Sequence, residues 1–593
     1  MKKTLERIMF AACIVLMTAC SAEDPFDNDY ASYSNPSNSG STGGGTDTGS
    51  STATGSLTSF TVNIDKTTTE PTSGIAAAYY PEDEDNLENN SFDTQIDINL
   101  SNPTAKTENG VTVTVNGGHI IANHGSEKGI CYYVTGSTSN GSLTIVGDKK
   151  YEVILSGVDI TNPDSAALNL LSKKRAFVML DDGTTNKLTD GSTSMSDHKG
   201  ALYCKGKLLF NGNGALEVYG NYNNGIHSAD YIIFNTGNNI YAKSTANHGI
   251  KANDGVFING GILNVEVSAA AAKGINSESD ITVNGGRTTV ITTGNGTWDT
   301  EDLEAKGAAC IKCDSIFTIN GGELWLKSTG SGGKGINADM DGYFNGGNTY
   351  IITTGSQYKS NNDTASPKGI KIDGDIDISD GRIWVRTDGT NGEGIESKST
   401  LNISGGEVAC YAYDDAINSK SHMTISGGYV FALGQHNDGI DANGNCYIKG
   451  GLVYASCSGS PEVAIDANTE IGCKLYVQGG TLVAVGGLES GSSLSQSCYQ
   501  ASWSANTWYA LTYGSNTFAF KTPSSGGSGL VVSAPYTPTL LSGVTVSGGT
   551  SYFGGFGSIG GTVSGGSTVS LSSYTGGNGM GGMGGMGGGP GWR

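Results

Sequence analysis

Between about residue 200 and residue 480, apolar and polar positions recur with a period too long for a helix or a simple alternating strand. The unit is a small residue, then Ile, a variable stretch, hydrophobic-x-hydrophobic, a polar residue, Gly-Gly, x, and a second hydrophobic-x-hydrophobic. Copies begin at Gly225-Ile226, Gly249-Ile250, Gly274-Ile275, Gly335-Ile336, Gly369-Ile370, Gly394-Ile395, Ala416-Ile417, Gly439-Ile440 and Ala464-Ile465, and Ala201-Leu202 and Cys310-Ile311 keep the register. Successive steps are 24, 24, 25, 36, 25, 34, 25, 22, 23 and 25 residues. Each hydrophobic-x-hydrophobic triplet reads as a short strand with its outer members on one face. The Gly-Gly pairs, as at Asn259-Gly260-Gly261 and Ser404-Gly405-Gly406, read as tight turns.

One such unit cannot bury its own apolar residues, but stacked units align Ile on Ile into a continuous core. A step of 22–25 residues suits a three-sided coil of parallel strands, whereas a propeller blade needs about 40–50 residues. The chain is therefore expected to be all-β, a right-handed parallel β-helix (three-sided solenoid) over 111–485. The two long steps place insertions at one corner, over Gly294–Ala305 and Ser356–Pro367, and insertions gathered at one corner often border a binding face. Residues 58–110 are expected to cap the N-terminal end and 486–575 to form a further β region. The Gly/Met-rich end, 576–593, is expected to be disordered.

Stacking turns single outward positions into columns. In the strand after Gly-Gly, the residue between the two inward ones runs Asn264, Thr289, Trp325, Tyr350, Trp384, Ala409, Phe431, Tyr454, Val483. Coils about 4.8 Å apart would make Trp325, Tyr350, Trp384, Phe431 and Tyr454 a flat aromatic stripe. Two readings stand. Exposed, the rings suit the C–H faces of sugars and mark a substrate-binding site. Covered, they are the seat of the C-terminal segment or of another subunit.

A second column, before the small residue, changes from Lys273, Lys334 and Lys368 to Glu393, Asp415 and Asp438. The position after Ile runs Glu396, Asn418, Asp441, Asp466, with Asp414 alongside. Carboxylates about 4.8 Å apart repel by roughly 3–4 kcal/mol at an effective dielectric near 20. A cation would relieve this, and an all-oxygen set drawn from neighbouring coils suits Ca²⁺. Asp414, Asp415, Asp438, Asp441, Asp466, Glu393 and Glu396 are thus candidate metal ligands. The other reading is a solvated acidic edge or a set of Asx-turn caps.

Composition narrows the partners. Gly at 92 of 593 residues with 15% charged residues fits turns and stacked strands, and a net charge of −22 argues against nucleic acid. Lys2, Lys3 and Arg7 followed by an apolar run read as a secretory signal over 1–19, too short for a membrane span. The run ends Leu16-Met17-Thr18-Ala19-Cys20, which resembles a bacterial lipobox with Cys20 as the lipidated residue. Ser21-Ala22-Glu23-Asp24 resembles an export tag for the outer surface of Gram-negative cells, and 20–57 reads as a flexible tether. The expectation is an outer-membrane lipoprotein exposed on the cell surface, monomeric, touching membrane only through its lipid. Nine further cysteines have no framework spacing and read as buried thiols, Cys310 and Cys313 included.

Catalytic signals are sparse. Paired acids could serve glycoside hydrolysis, and Tyr413-Asp414-Asp415-Ala416-Ile417 faintly resembles the Asp-Asp element of β-helical polygalacturonases. The companion Asn-Thr-Asp, Gly-His-Gly and Arg-Ile-Lys runs of those enzymes are absent. A β-elimination would need a Lys or Arg base beside Ca²⁺, and Lys368, Lys371 and Arg386 lie in neighbouring coils without one standing out.

Taken together, the repeated Gly-Ile with Asn/Ser-Gly-Gly, Asn437-Asp438-Gly439-Ile440-Asp441-Ala442, Ala464-Ile465-Asp466-Ala467 and Gly529-Leu530-Val531-Val532-Ser533 resemble a known family. These are bacterial secreted carbohydrate-binding proteins with a polysaccharide-lyase-like parallel β-helix. The resemblance covers roughly residues 90–535. It implies Ca²⁺ at inter-coil acidic corners, binding of acidic or cellulosic polysaccharides, and no lyase catalysis. Asp414, Asp415, Asp438, Asp441 and Asp466 match in kind, and Asn418 weakens one rung. The expected function is calcium-assisted, non-catalytic binding of a pectin-like or other plant or host glycan at the cell surface. A lyase or hydrolase and an adhesin are the alternatives.

Overall fold

The computed structural model describes residues 56–193 and 198–576. The expected lipoprotein signal, most of the tether and the tail from 577 lie outside the described residues. The described chain is an all-β solenoid of about 15 turns with almost no helix. A typical coil has three strands, as in Lys334–Ala338, Gly342–Phe344 and Asn348–Thr353. Each pairs in parallel with its counterpart in the next coil: Ile336 with Ile370, Gly342 with Ile376, Thr349 with Ile383. The repeat thus yields three ladders, called here the first, second and third faces in chain order within a coil. The Ile column of the first face, from Ile226 through Ile336 to Ile440, is fully buried.

The two glycines of the turn do different work. The second takes a left-handed backbone, φ +74° at Gly406 and +75° at Gly428. The first lies against the coil before it, so that a Cβ on Gly405 would sit 2.0 Å from the Ser379 carbonyl oxygen. The polar residue ahead of them builds a ladder of amides. Asn235 Nδ2 donates to Asn211 Oδ1 (3.0 Å), Asn259 to Asn235 (3.2 Å), Asn284 to Asn259 (3.0 Å), Asn320 to Asn284 (2.9 Å) and Asn345 to Asn320 (2.9 Å). The Ser379 hydroxyl then donates to Asn345 Oδ1 (3.1 Å), where the column turns to serine. We expect Asn284→Leu, in the buried middle of the ladder, to cost about 1–3 kcal/mol by leaving the Asn320 amide without its acceptor. Asn345→Ser, at the exposed end, should be nearly silent. Denaturant unfolding of both variants measures the contrast, and equal losses would argue against the ladder.

Residues 56–92 do not close the N-terminal end of the solenoid. The first coil begins with Thr94–Asn99, paired with the strand at Ile130–Thr138. The segment before it lies along the flank as a strap that runs back along the coils from Leu57 to Lys66, forward to Gly74, whose carbonyl accepts the Gly322 N–H (2.8 Å), and back again to Phe92. The Leu57 N–H donates to the Gly554 carbonyl (3.1 Å), Phe60 packs on Tyr350 and Trp384, and Lys66 pairs with Glu217 (2.7 Å). Glu70 accepts the N–H groups of Gly261 (2.6 Å) and Gly237 (3.0 Å). Farther on, Arg175 is clasped by Glu82, Glu84 and Asp85, and Phe92 meets Phe177.

At the other end, Thr481–Val485 of the third face pairs antiparallel with Leu530–Ser533, which ends the parallel stacking. A six-stranded antiparallel sheet follows, built from strands between Trp508 and Val569. The nine described cysteines are free thiols, buried except for the half-buried Cys473. Burial pushes the thiols of Cys310 and Cys313 up to about 12, which makes them inert side chains of the core.

Candidate functional site

The aromatic column forms in the expected register, with Trp325 beside Tyr350, Tyr350 beside Trp384, and Phe431 beside Tyr454. It is not an open stripe. Phe431 and Tyr454 are 0% exposed, Tyr350 2% and Trp325 6%, and Trp384 is half-buried. Phe553 and Phe556 stack on Phe431, Phe520 meets Tyr454, and Phe60 of the strap lies against Tyr350 and Trp384. The expectation of a sugar platform here is corrected. These rings are apolar surface that the strap and the C-terminal sheet remove from water.

Chemistry remains at the corner between the third face and the next first face, where several features meet. Both insertions emerge there as β-hairpins, Thr297–Asp299 with Glu304–Lys306 and Tyr358–Ser360 with Asp363–Ala365. They lean on one another, the Ala305 N–H donating to Asp363 Oδ2 (2.7 Å), and carry half-buried Trp298 and Tyr358. The column before the small residue runs along this same corner. Lys273 Nζ donates to the carbonyls of Ala271 (2.7 Å) and Gly307 (2.6 Å), and Lys334 Nζ to that of Gly332 (3.2 Å). Burial, reinforced by neighbouring lysines, brings the Lys273 ammonium down to about 7 and that of Lys334 down to about 8.

The sign of charge turns over at Lys368. Its ammonium lies 2.6 Å from Glu393 Oε1 and 3.0 Å from Glu396 Oε2, and Lys398 holds the other oxygen of Glu396. Burial opposes the charge on Lys368, but the two glutamates hold it above its ordinary value. Glu393 and Glu396 are thus spent on lysines, although Glu393 Oε2 is buried without a hydrogen-bond partner.

Beyond them the carboxylates have no cationic partner among the described residues. Asp415 and Asp438 cap the next coil: the Asp438 N–H donates to Asp415 Oδ1 (3.1 Å) and the Val463 N–H to Asp438 Oδ1 (2.7 Å). The same position does this earlier in the chain, where Asn224 Oδ1 accepts the His248 N–H (3.2 Å) and His248 Nδ1 accepts that of Lys273 (2.9 Å). A neutral residue therefore suffices for capping, and the negative charge needs another account. Burial raises Asp415 to about 9, helped by Asp441, Glu393, Asp414 and Asp438. Asp438 rises to about 8 by burial and the charge of Asp466, and Asp441 to about 7 for the same two reasons. Asn418 sits between Glu396 and Asp441 in the ladder, and Asp466 follows Asp441 in the next coil. Among the described residues no three His, Cys, Asp or Glu side chains converge closely enough to hold a metal.

Sequence reasoning missed the aromatic groups that do reach solvent near this corner. Tyr413 and the exposed His436 stack 3.9 Å apart with their planes 15° from parallel, directly ahead of Asp414-Asp415 and Asn437-Asp438. Their separation of 23 residues equals one coil, which was a legible signal. On the second face, half-buried Tyr447 and Tyr476 stack at 4.9 Å in a column of outward residues.

The architecture defines a class, the parallel β-solenoids, and comparison with known proteins refines it. Residues 107–270 and 239–390, together a little under half of the chain, match the model of a family described as carbohydrate-binding domain-containing protein. A protein of that description from Acetivibrio thermocellus is 32% identical over 121 residues, covering 19% of this chain and 42% of the relative. The chain thus spans less than half the length of that curated relative. A solved structure, the polysaccharide lyase-like protein from C. thermocellum as a gadolinium derivative, aligns over 52% of this chain and 96% of its own at 18% identity. Its TM-score is 0.28, too low to bear on the argument.

Proposed function

We propose that the protein binds an acidic, pectin-like polysaccharide along the corner from the paired hairpins to Asp466, with Ca²⁺ assisting and without transforming the glycan. One observation carries the reading: Asp415, Asp438, Asp441 and Asp466 are aligned over successive coils with no cationic partner among the described residues, beside the Tyr413–His436 stack. The match to carbohydrate-binding proteins over 107–390 supports the same class of ligand.

The donors fit calcium by kind. They are hard oxygens from adjacent coils, and burial, helped by neighbouring carboxylates, holds the protons of Asp415, Asp438 and Asp441 on in the absence of a cation. Asp415, Asp438, Asp441 and Asp466 are the carboxylates that would have to draw together around the ion as it binds, with Asp414 at the rim. Bound there, it would supply positive charge for glycan carboxylates and hydroxyls. The stacked rings of Tyr413 and His436 offer an apolar face for a sugar. The lipobox-like Cys20 and the acidic residues after it support a further part of the proposal, that the protein is lipid-anchored on the outer surface of the cell, where it would act as a monomer.

Proton and metal should compete. An unfolded aspartate titrates near 3.9, so between about pH 4 and pH 9 the folded chain holds protons that the unfolded chain has released. Without metal, stability from this corner is greatest below the unfolded value and falls as pH rises through the window. In EDTA the unfolding temperature should be lower at pH 8 than at pH 5, and added Ca²⁺ should raise it at pH 8 but little at pH 5. Asp438→Asn with Asp441→Asn should abolish the calcium response. Retention on immobilised polygalacturonate should weaken in EDTA and in that double variant. Failure of the wild type to be retained on any glycan would overturn the reading in favour of an adhesin. Formation of an unsaturated, ultraviolet-absorbing product would instead establish a lyase.

A further inference from the structure

A groove of about 470 Å³ opens where the strap, the third face and the C-terminal sheet meet. It lies outside residues 107–390, so the family match says nothing of it. Its volume is within the range of small-ligand sites, about 300–1,000 Å³.

Its walls are chemically mixed. From the solenoid come Tyr411, whose hydroxyl donates to Gln435 Oε1 (3.0 Å), and His436. His436 Nδ1 lies 3.2 Å from the Tyr413 carbonyl oxygen, so this nitrogen carries the proton and Nε2 is left as an acceptor. From the C-terminal sheet come Asn506 and Lys521. The backbone of Lys521 is fixed at both ends, its N–H donating to the Phe556 carbonyl (2.9 Å) and its carbonyl accepting the Tyr454 hydroxyl (2.9 Å). Its ammonium pairs with no carboxylate among the described residues. A rigidly rooted cation, an aromatic flank, an amide and an imidazole acceptor in one concavity form the complement of a sugar acid.

We propose that this groove is a second subsite, for one hexuronate unit. The sugar carboxylate would pair with the Lys521 ammonium, and its C–H face would lie on Tyr411. Its hydroxyls would be bonded by Gln435, Asn506 and His436. His436 belongs also to the ring stack two residues ahead of Asp438, so the groove and the acidic corner would hold successive parts of one chain. The inference rests on the polysaccharide-binding reading, but it does not depend on calcium.

Isothermal titration of the full chain with trigalacturonate in EDTA isolates this site from the corner. The wild type should bind, and neutral cellotriose should bind at least tenfold more weakly. Lys521→Gln and Tyr411→Ala should each weaken trigalacturonate at least tenfold, whereas Lys174→Gln, at an exposed lysine of a distant coil, should leave it unchanged. Lys521→Gln removes a half-exposed charge, and an unaltered unfolding temperature would verify its fold. Equal affinity of wild type and Lys521→Gln would overturn the subsite. Absence of wild-type binding in EDTA would overturn it too, even if calcium-dependent retention on the polymer held. Absence of any glycan binding with or without calcium would remove the parent reading as well.

Discussion

Phe431→Ala will loosen the C-terminal sheet from the solenoid at a cost of about 3–5 kcal/mol. The ring is fully buried and touches Tyr454, Phe553 and Phe556 at centroid distances of 5.0, 5.7 and 4.8 Å. Truncation removes the apolar area of a whole ring and leaves a void that flat neighbours on a rigid ladder cannot close. Coils touch only their neighbours, so the loss should stay local. Hydrogen exchange should speed up in Trp508–Tyr513 and Asn516–Lys521, while strands near Ile226 keep wild-type protection. Uniform exchange rates across both regions, unchanged from wild type, would show that the column contributes nothing to holding the sheet.

The second large effect lies at the opposite end of the strap. Asp85 is fully buried and accepts from Arg175 Nε (2.7 Å), the Tyr231 hydroxyl (2.7 Å) and the Glu82 N–H (2.8 Å). Asp85→Ala leaves a guanidinium whose side chain is 7% exposed with only the two exposed glutamates, Glu82 and Glu84, for partners. Breaking a buried pair from one side costs about 3–5 kcal/mol. The expected result is release of residues 70–92 from the flank, seen as rapid proteolysis in that segment while the coils stay intact. An Asp85→Ala strap as resistant as the wild type would rule out the clasp as its anchor.

The solenoid was legible because its cause is periodic. Ile over Ile and Gly-Gly over Gly-Gly repeat at the coil length, and the alternation along each strand correctly sends Leu324 and Leu326 inward and Trp325 outward. Outward is not the same as exposed. What covers Trp384 and Phe431 are residues such as Phe60 and Phe553, distant in the chain and carrying no repeat, and no periodicity announces them. The acidic column was legible for the same periodic reason. Its division was not: Glu393 and Glu396 are spent on Lys368 and Lys398, and that depends on which long side chains bend back along the ladder.

The strap sets an order of events for a growing chain. Coils of this kind can wind as soon as each is made, since every strand pairs with the one about two dozen residues before it. Leu57, however, waits for Gly554, roughly 500 residues later, and loop closure over that distance comes last. Until then the ring of Phe431, which Phe553 and Phe556 cover, lies bare in a molecule whose coils are already complete. A chain stalled or truncated before residue 550 would therefore present a sticky, well-ordered patch around Phe431, and the short stretch that holds Phe553 and Phe556 decides whether it is covered.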